Sequence, residues 1–119
     1  MIKPHGATEL KPLYVACAEQ RRSLESEAQR LPSLKISSAS AANAVMLGAG
    51  YFTPLSGFMD QRDMASVAAT MHTADGLFWP VPVVNLVQQC SYRTGDRIAL
   101  RDPNIEGNPV LAVQDVASV

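Results

Sequence analysis

The strongest constraint on the fold is a change in hydrophobic pattern at Asp75-Gly76. Before that point apolar residues recur at the three- and four-residue spacing of amphipathic helices, whereas after it they form short runs typical of strands. These strand-like runs cover residues 77–79, 81–87, 97–100 and 110–113. Because the helices precede the strands and do not alternate with them, the pattern predicts an α+β domain, with a small β-barrel or curled sheet whose ends the helices cover.

Two helices are predicted before residue 50. The apolar stripe of the first consists of Leu24, Ala28 and Leu31. Charged residues surround that stripe and Pro32 ends the helix. The second begins with Ser38 or Ser40 as its N-cap and ends at Gly48, which can adopt a left-handed conformation.

A third helix is predicted to begin at Asp60, whose carboxylate can cap it while Asp63 complements the helix dipole. Its predicted buried stripe consists of Met64, Val67, Ala68 and Met71. Methionines at helical spacing usually fill a core, so we interpret them as packing residues and not as copper ligands.

Composition limits the class of protein. The 119 residues are enough for one domain, and 18% charged residues with a net charge of −1 exclude a disordered polyelectrolyte. Nucleic-acid-binding proteins usually carry a basic excess, which is absent here. No long apolar run predicts a membrane span, and no targeting segment begins the chain, so we expect a cytoplasmic protein. An apolar strand pattern runs up to Val119, which suggests the amino-terminal portion of a longer protein.

Few residues offer chemistry. Cys17 and Cys90 have no zinc-ligand spacing, and we expect two separate buried thiols. His5 is expected in an irregular turn and His72 at the end of the third helix, both with structural roles. The glycines of residues 48–50 follow a helix instead of preceding one, which is the wrong geometry for a phosphate loop. The residues therefore predict no catalytic, cofactor-binding or metal-binding site.

One central segment is far more specific. GYFTPLSGFM at residues 50–59 resembles the G-x-F-[ST]-P-L-x-G-F-M stretch of the amino-terminal domain of ATP sulfurylases (sulfate adenylyltransferases). Other blocks agree in order: PHG at 4–6, GLFWPVPV at 76–83, GDRIALRDP at 95–103 and GNPVLAV at 107–113. Family members commonly have a second glycine after the first block, where this chain has Ala7. The resemblance extends over nearly the whole chain.

The resemblance implies a PUA-like β-barrel that occupies residues 1–119 and has no catalytic residue of its own. The family's Gln-x-Arg-Asn, His-x-x-His and Gly-Arg-Asp motifs lie in the following domain, and this chain contains none of them. A full-length enzyme of this family is expected to use MgATP and sulfate, to form adenosine 5′-phosphosulfate and pyrophosphate or run in reverse, and to be a homo-oligomer. The expected partner of this chain is that downstream domain, and the chain alone is expected to be inactive.

Two other functions are considered. PUA-like barrels of other proteins bind RNA, but the near-neutral charge argues against such a module. A free-standing enzyme that holds phosphate in the loop of residues 48–57 lacks the necessary lysine and following helix. We interpret that loop as a packed turn in which Gly57 has a positive φ, and Trp79 as a buried aromatic residue on the barrel side of the core.

Overall fold

The computed structural model describes residues 2–88 and 91–119, which contain three helices and three strands. In chain order they are α1 (Ala18–Ala28), β1 (Ser33–Lys35), α2 (Ser38–Ala49), α3 (Gln61–Thr70), β2 (Arg97–Arg101) and β3 (Val110–Asp115). The predicted α+β class agrees with this content. No helix in the described part of the chain has the length and apolar character needed to cross a bilayer.

The strands form one mixed sheet in the order β1-β2-β3, with β1 parallel and β3 antiparallel to the central strand β2. Ile98, Ala99 and Leu100 of β2 are all buried, which explains why this strand is a continuous apolar run and does not alternate. The sheet formed by the described residues is open, so the small β-barrel predicted from the sequence is not closed in them.

The two strands predicted within residues 77–87 are wrong. Two prolines in this segment lack the N–H group that a ladder needs, and the backbone bonds to loops instead. The Trp79 amide donates to the carbonyl of Met71 at 2.8 Å. His72 and Phe78 form an isolated bridge. The segment is therefore an irregular extended chain that lies against the end of α3.

The sequence pattern did not predict β1, which lies at the edge of the sheet opposite β3. β1 comprises only Ser33, Leu34 and Lys35, which pair with Ala99, Leu100 and Arg101 of β2. Three residues are too few to show a two-residue period, so the local sequence carries no strand signal. Parallel pairing with the buried central strand decides this conformation.

The second helix runs farther than predicted. Its N-cap is Ser37, whose hydroxyl accepts a hydrogen bond from the Ser40 amide at 3.1 Å. Gly48 lies inside α2 and does not end it, because Gly50 is the residue with the left-handed backbone, at φ 86°. A serine N-cap and a left-handed glycine at the end were predicted, but the N-cap lies one residue before Ser38 and three before Ser40, and the glycine lies two residues after Gly48.

The third helix begins as predicted. The Asp60 carboxylate caps α3 by accepting a hydrogen bond from the Asp63 amide at 2.8 Å. Only part of the predicted stripe is buried: Val67 is in the core and Met64 is half-buried, whereas Ala68 and Met71 are exposed. Met71 is the C-cap of the helix and has a left-handed backbone, at φ 56°, so it lies outside the regular helical turn.

The core consists of two clusters. The first lies on the sheet and contains Ile36, Ala41, Ile98, Leu100 and Val116. The second lies between α2, α3 and the irregular segment and contains Leu47, Met59, Val67 and Val83. Phe58 packs against both clusters, so the loop before α3 joins the sheet to the helices.

Candidate functional site

The loop between α2 and α3 is a packing element. Phe52, Leu55 and Phe58 are partly buried and pack against the second cluster, and Met59 is part of it. Thr53 is buried, and its hydroxyl donates to the Gly50 carbonyl at 2.7 Å. The predicted positive φ of Gly57 is wrong, because the left-handed residue of this loop is Gly50.

His5 is held by a contact that spans most of the chain. It lies in a turn, as predicted, and its Nε2–H donates to the Phe78 carbonyl at 2.7 Å. Its ring also lies 6.0 Å from that of Trp79, centroid to centroid. Together with Tyr51 these side chains line a shallow aromatic pocket of about 430 Å³. The amino-terminal segment is therefore anchored to the irregular segment.

The second histidine, His72, contacts the same phenylalanine as His5. His72 directly follows the C-cap of α3, and its Nδ1–H donates to the Thr70 carbonyl at 2.7 Å. Its ring meets the edge of Phe78, with centroids 5.6 Å apart. Both histidines thus flank Phe78, although their spacing in the sequence does not predict that they meet. Each uses a ring nitrogen to hold a backbone carbonyl.

Trp79 is half-buried and packs against the second cluster, between α2 and α3, and not against the sheet as predicted. Its ring meets Phe52 edge to face, with centroids 6.0 Å apart. The predicted location on the barrel side followed from a strand assignment that the structure does not support. The tryptophan therefore connects the aromatic pocket to the loop between α2 and α3.

Cys17 is exposed, which contradicts the prediction of a buried thiol. It is the N-cap residue of α1, and its side chain makes no capping hydrogen bond in the structure. The backbone N–H groups of Gln20 and then Glu19 favour the thiolate and lower the pKa of Cys17 below its ordinary value. Cys90 lies outside the described residues.

An open groove of about 940 Å³ lies between α1, α2 and β3. Its apolar lining includes Leu13, Tyr14, Leu24, Val45, Phe58 and Leu111. Tyr14 is 64% exposed and Val45 57% exposed, so large apolar side chains face solvent there. One arginine and three carboxylates also line the groove, and the formal charges of these four residues add up to −2.

Titratable groups in the described part of the chain form no metal-binding cluster. No group of three or more His, Cys, Asp or Glu residues in residues 2–88 and 91–119 is arranged to hold a metal ion. Arg97 pairs with Glu27 at 3.3 Å and with Asp115 at 3.6 Å, all on the surface. These charges join α1 to the sheet, and exposed pairs of this kind contribute little to stability.

Comparison with known proteins decides the family. The PUA-like domain family matches residues 2–119. This chain belongs to the PUA-like domain family. The three-stranded mixed sheet with flanking helices is the form that this PUA-like domain takes in its described residues.

The relatives of this PUA-like domain include sulfate adenylyltransferases. The chain is 60% identical to the sulfate adenylyltransferase of Alcanivorax borkumensis and 56% identical to that of Allochromatium vinosum. Each match covers 100% of this chain and 30% of the relative. The resemblance inferred from residues 50–59 is confirmed, and these relatives favour it over an RNA-binding module. The chain spans about a third of their length.

A solved structure shares the fold. The hexameric APS kinase from Thiobacillus denitrificans matches with a TM-score of 0.80 and 34% identity. That match covers 95% of this chain and 22% of the other. The PUA-like domain therefore occurs as a minor part of larger proteins.

Proposed function

We propose that residues 1–119 form the amino-terminal PUA-like domain of a cytoplasmic, oligomeric sulfate adenylyltransferase, and that this domain supports a catalytic domain without supplying a catalytic residue. The complete enzyme would convert MgATP and sulfate to adenosine 5′-phosphosulfate and pyrophosphate, or catalyse the reverse. The observation that carries the proposal is the 60% identity over the whole chain to the Alcanivorax enzyme.

The chemistry of the reaction supports the division of labour. Attack of sulfate on the α-phosphorus of ATP brings two anions together, which requires several positioned cationic donors. The histidines of this chain instead hold backbone carbonyls, His5 that of Phe78 and His72 that of Thr70. Arg97 is engaged with Glu27 and Asp115 on the surface. These groups are structural, and the cations of the reaction belong to another domain.

The test is an exchange of domains. The matching residues of the Alcanivorax sulfate adenylyltransferase are replaced by this chain, and pyrophosphate release from ATP and sulfate is measured. We expect the chimera to keep kcat within about tenfold of the parent enzyme, because a supporting domain acts through its fold and not through reacting groups. A folded, oligomeric chimera without activity would overturn the proposal.

A matched pair of variants controls for folding. Leu100→Ala removes a side chain that is 1% exposed in the core, whereas Leu86→Ala changes one that is 71% exposed. The first should lower the stability of the chimera by about 2–5 kcal/mol, and the second should change it by less than about 0.5 kcal/mol. Loss of activity should follow the loss of stability.

A further inference from the structure

The groove between α1, α2 and β3 is an apolar surface feature that no element in the described part of the chain covers. Its volume is about 940 Å³, and Tyr14 and Val45 are 64% and 57% exposed within it. Monomeric proteins rarely leave a contiguous apolar surface of this kind in water, and larger patches mark interfaces. The packing of the described residues does not explain this exposed surface.

We infer that this groove is the docking surface for the catalytic part of the same sulfate adenylyltransferase chain. The inference rests on the proposed function. About 70% of the Alcanivorax enzyme lies outside its match to this chain, and that remainder needs a contact surface on the domain. Ala117 and Ser118, next to the last residue of this chain, also line the groove.

The charged residues that line the groove indicate which kind of partner surface is complementary to it. Leu24, Val45 and Leu111 form an apolar lining, and Arg21, Glu25, Asp60 and Asp115 also line the groove. Because carboxylates outnumber the arginine, the docking surface of the catalytic part is apolar with basic residues at its margin. Such an interface excludes water from the apolar lining and is aligned by the charges.

Cysteine footprinting tests the inference. Val45→Cys places a thiol in the groove, and Val81→Cys places one at a site of similar exposure, 60%, that does not line it. Both variants carry Cys17→Ser and Cys90→Ser, and each is made in the 119-residue chain and in the chimera with the Alcanivorax enzyme. The rate of alkylation at each site is read by mass spectrometry of the peptide.

We expect alkylation at position 45 to be slower by about tenfold or more in the chimera than in the short chain, since a covered thiol reacts only when the interface opens. At position 81 the two rates should agree within about twofold. Equal rates at position 45 in an active chimera would overturn the docking surface while leaving the proposed function intact. An inactive chimera would instead count against the proposed function.

A second copy of this chain is the competing occupant of the groove. In that case alkylation at position 45 in the short chain would slow as protein concentration rises, and the mass measured by light scattering would double. That result would overturn the inference. Concentration-independent labelling of a monomer, together with protection in the chimera, would establish it.

Discussion

His5 and Phe78 are 73 residues apart in sequence, yet the Nε2 of the histidine lies 2.7 Å from the carbonyl oxygen of the phenylalanine. This bond joins the amino-terminal turn to the irregular segment that follows α3. Because Phe78 also meets the ring of His72 edge to face, the bond fixes the position of three aromatic rings at once. It is the main polar tether of residues 2–6 in the described structure.

We predict that His5→Ala lowers the free energy of unfolding by about 0.5–1.5 kcal/mol, the usual net contribution of one hydrogen bond. His5→Gln, which keeps an N–H donor, should lose less. Urea unfolding followed by the fluorescence of Trp79 measures both, because that indole lies 6.0 Å from the histidine ring. Identical midpoints for the wild type and the alanine variant would show that the tether is not formed in solution.

The two glycines near the end of α2 should respond to alanine in opposite directions. Gly50 has φ 86°, and an added Cβ would lie 3.1 Å from the Pro12 nitrogen, so Gly50→Ala should cost about 1–3 kcal/mol. Gly48 lies within the helix with nothing within 4 Å of an added Cβ. Gly48→Ala should therefore stabilise the protein by about 0.5–1 kcal/mol.

Thermal or urea unfolding of this pair separates backbone strain from a general sensitivity of the region. If both alanine variants lost stability to the same extent, the left-handed conformation of Gly50 would not be the cause. The pair also replaces the prediction that placed the strain at Gly57, where an added Cβ meets nothing within 4 Å.

Cys17 should react as a thiolate at lower pH than an ordinary cysteine. Its pKa is lowered by the amides of Gln20 and Glu19, so the reactive fraction at neutral pH is larger in the folded chain. The pH dependence of alkylation in a Cys90→Ser variant should have its midpoint below that of the same chain in urea. Superimposable profiles for folded and unfolded protein would exclude an effect of the helix.

A feature of the fold was predictable from the sequence when the contacts that determine it join residues that are close along the chain. The N-cap at Asp60 was predictable because capping is a contact between residues three apart, here Asp60 and Asp63. β1 was not, since Ser33 extends only because Ala99 of a distant strand pairs with it. Local chemistry sets helix ends, whereas pairing partners decide short strands.

The candidate site shows the same limit. The sequence motif at residues 50–59 identified the family by its resemblance to the family pattern, and the structure shows Phe58 and Met59 of that motif packed in the core. The approach of His5 and His72 to Phe78 depends on tertiary contacts, which spacing does not encode. The exposure of Cys17 had one local sign, its place directly before the first helix.

The last prediction concerns catalysis: the 119-residue chain alone should release no pyrophosphate from ATP and sulfate. Stabilising the transition state takes several donors, each contributing roughly 3–4 kcal/mol, and removal of any such donor lowers kcat by about 100-fold or more. Both histidines of this chain are instead occupied by backbone carbonyls. In the active chimera, His5→Ala and His72→Ala should therefore leave kcat within about tenfold of the parent. A thousandfold loss in either variant at unchanged stability would mean that this domain reaches the reacting phosphate, and that the aromatic pocket around Phe78 belongs to the active site.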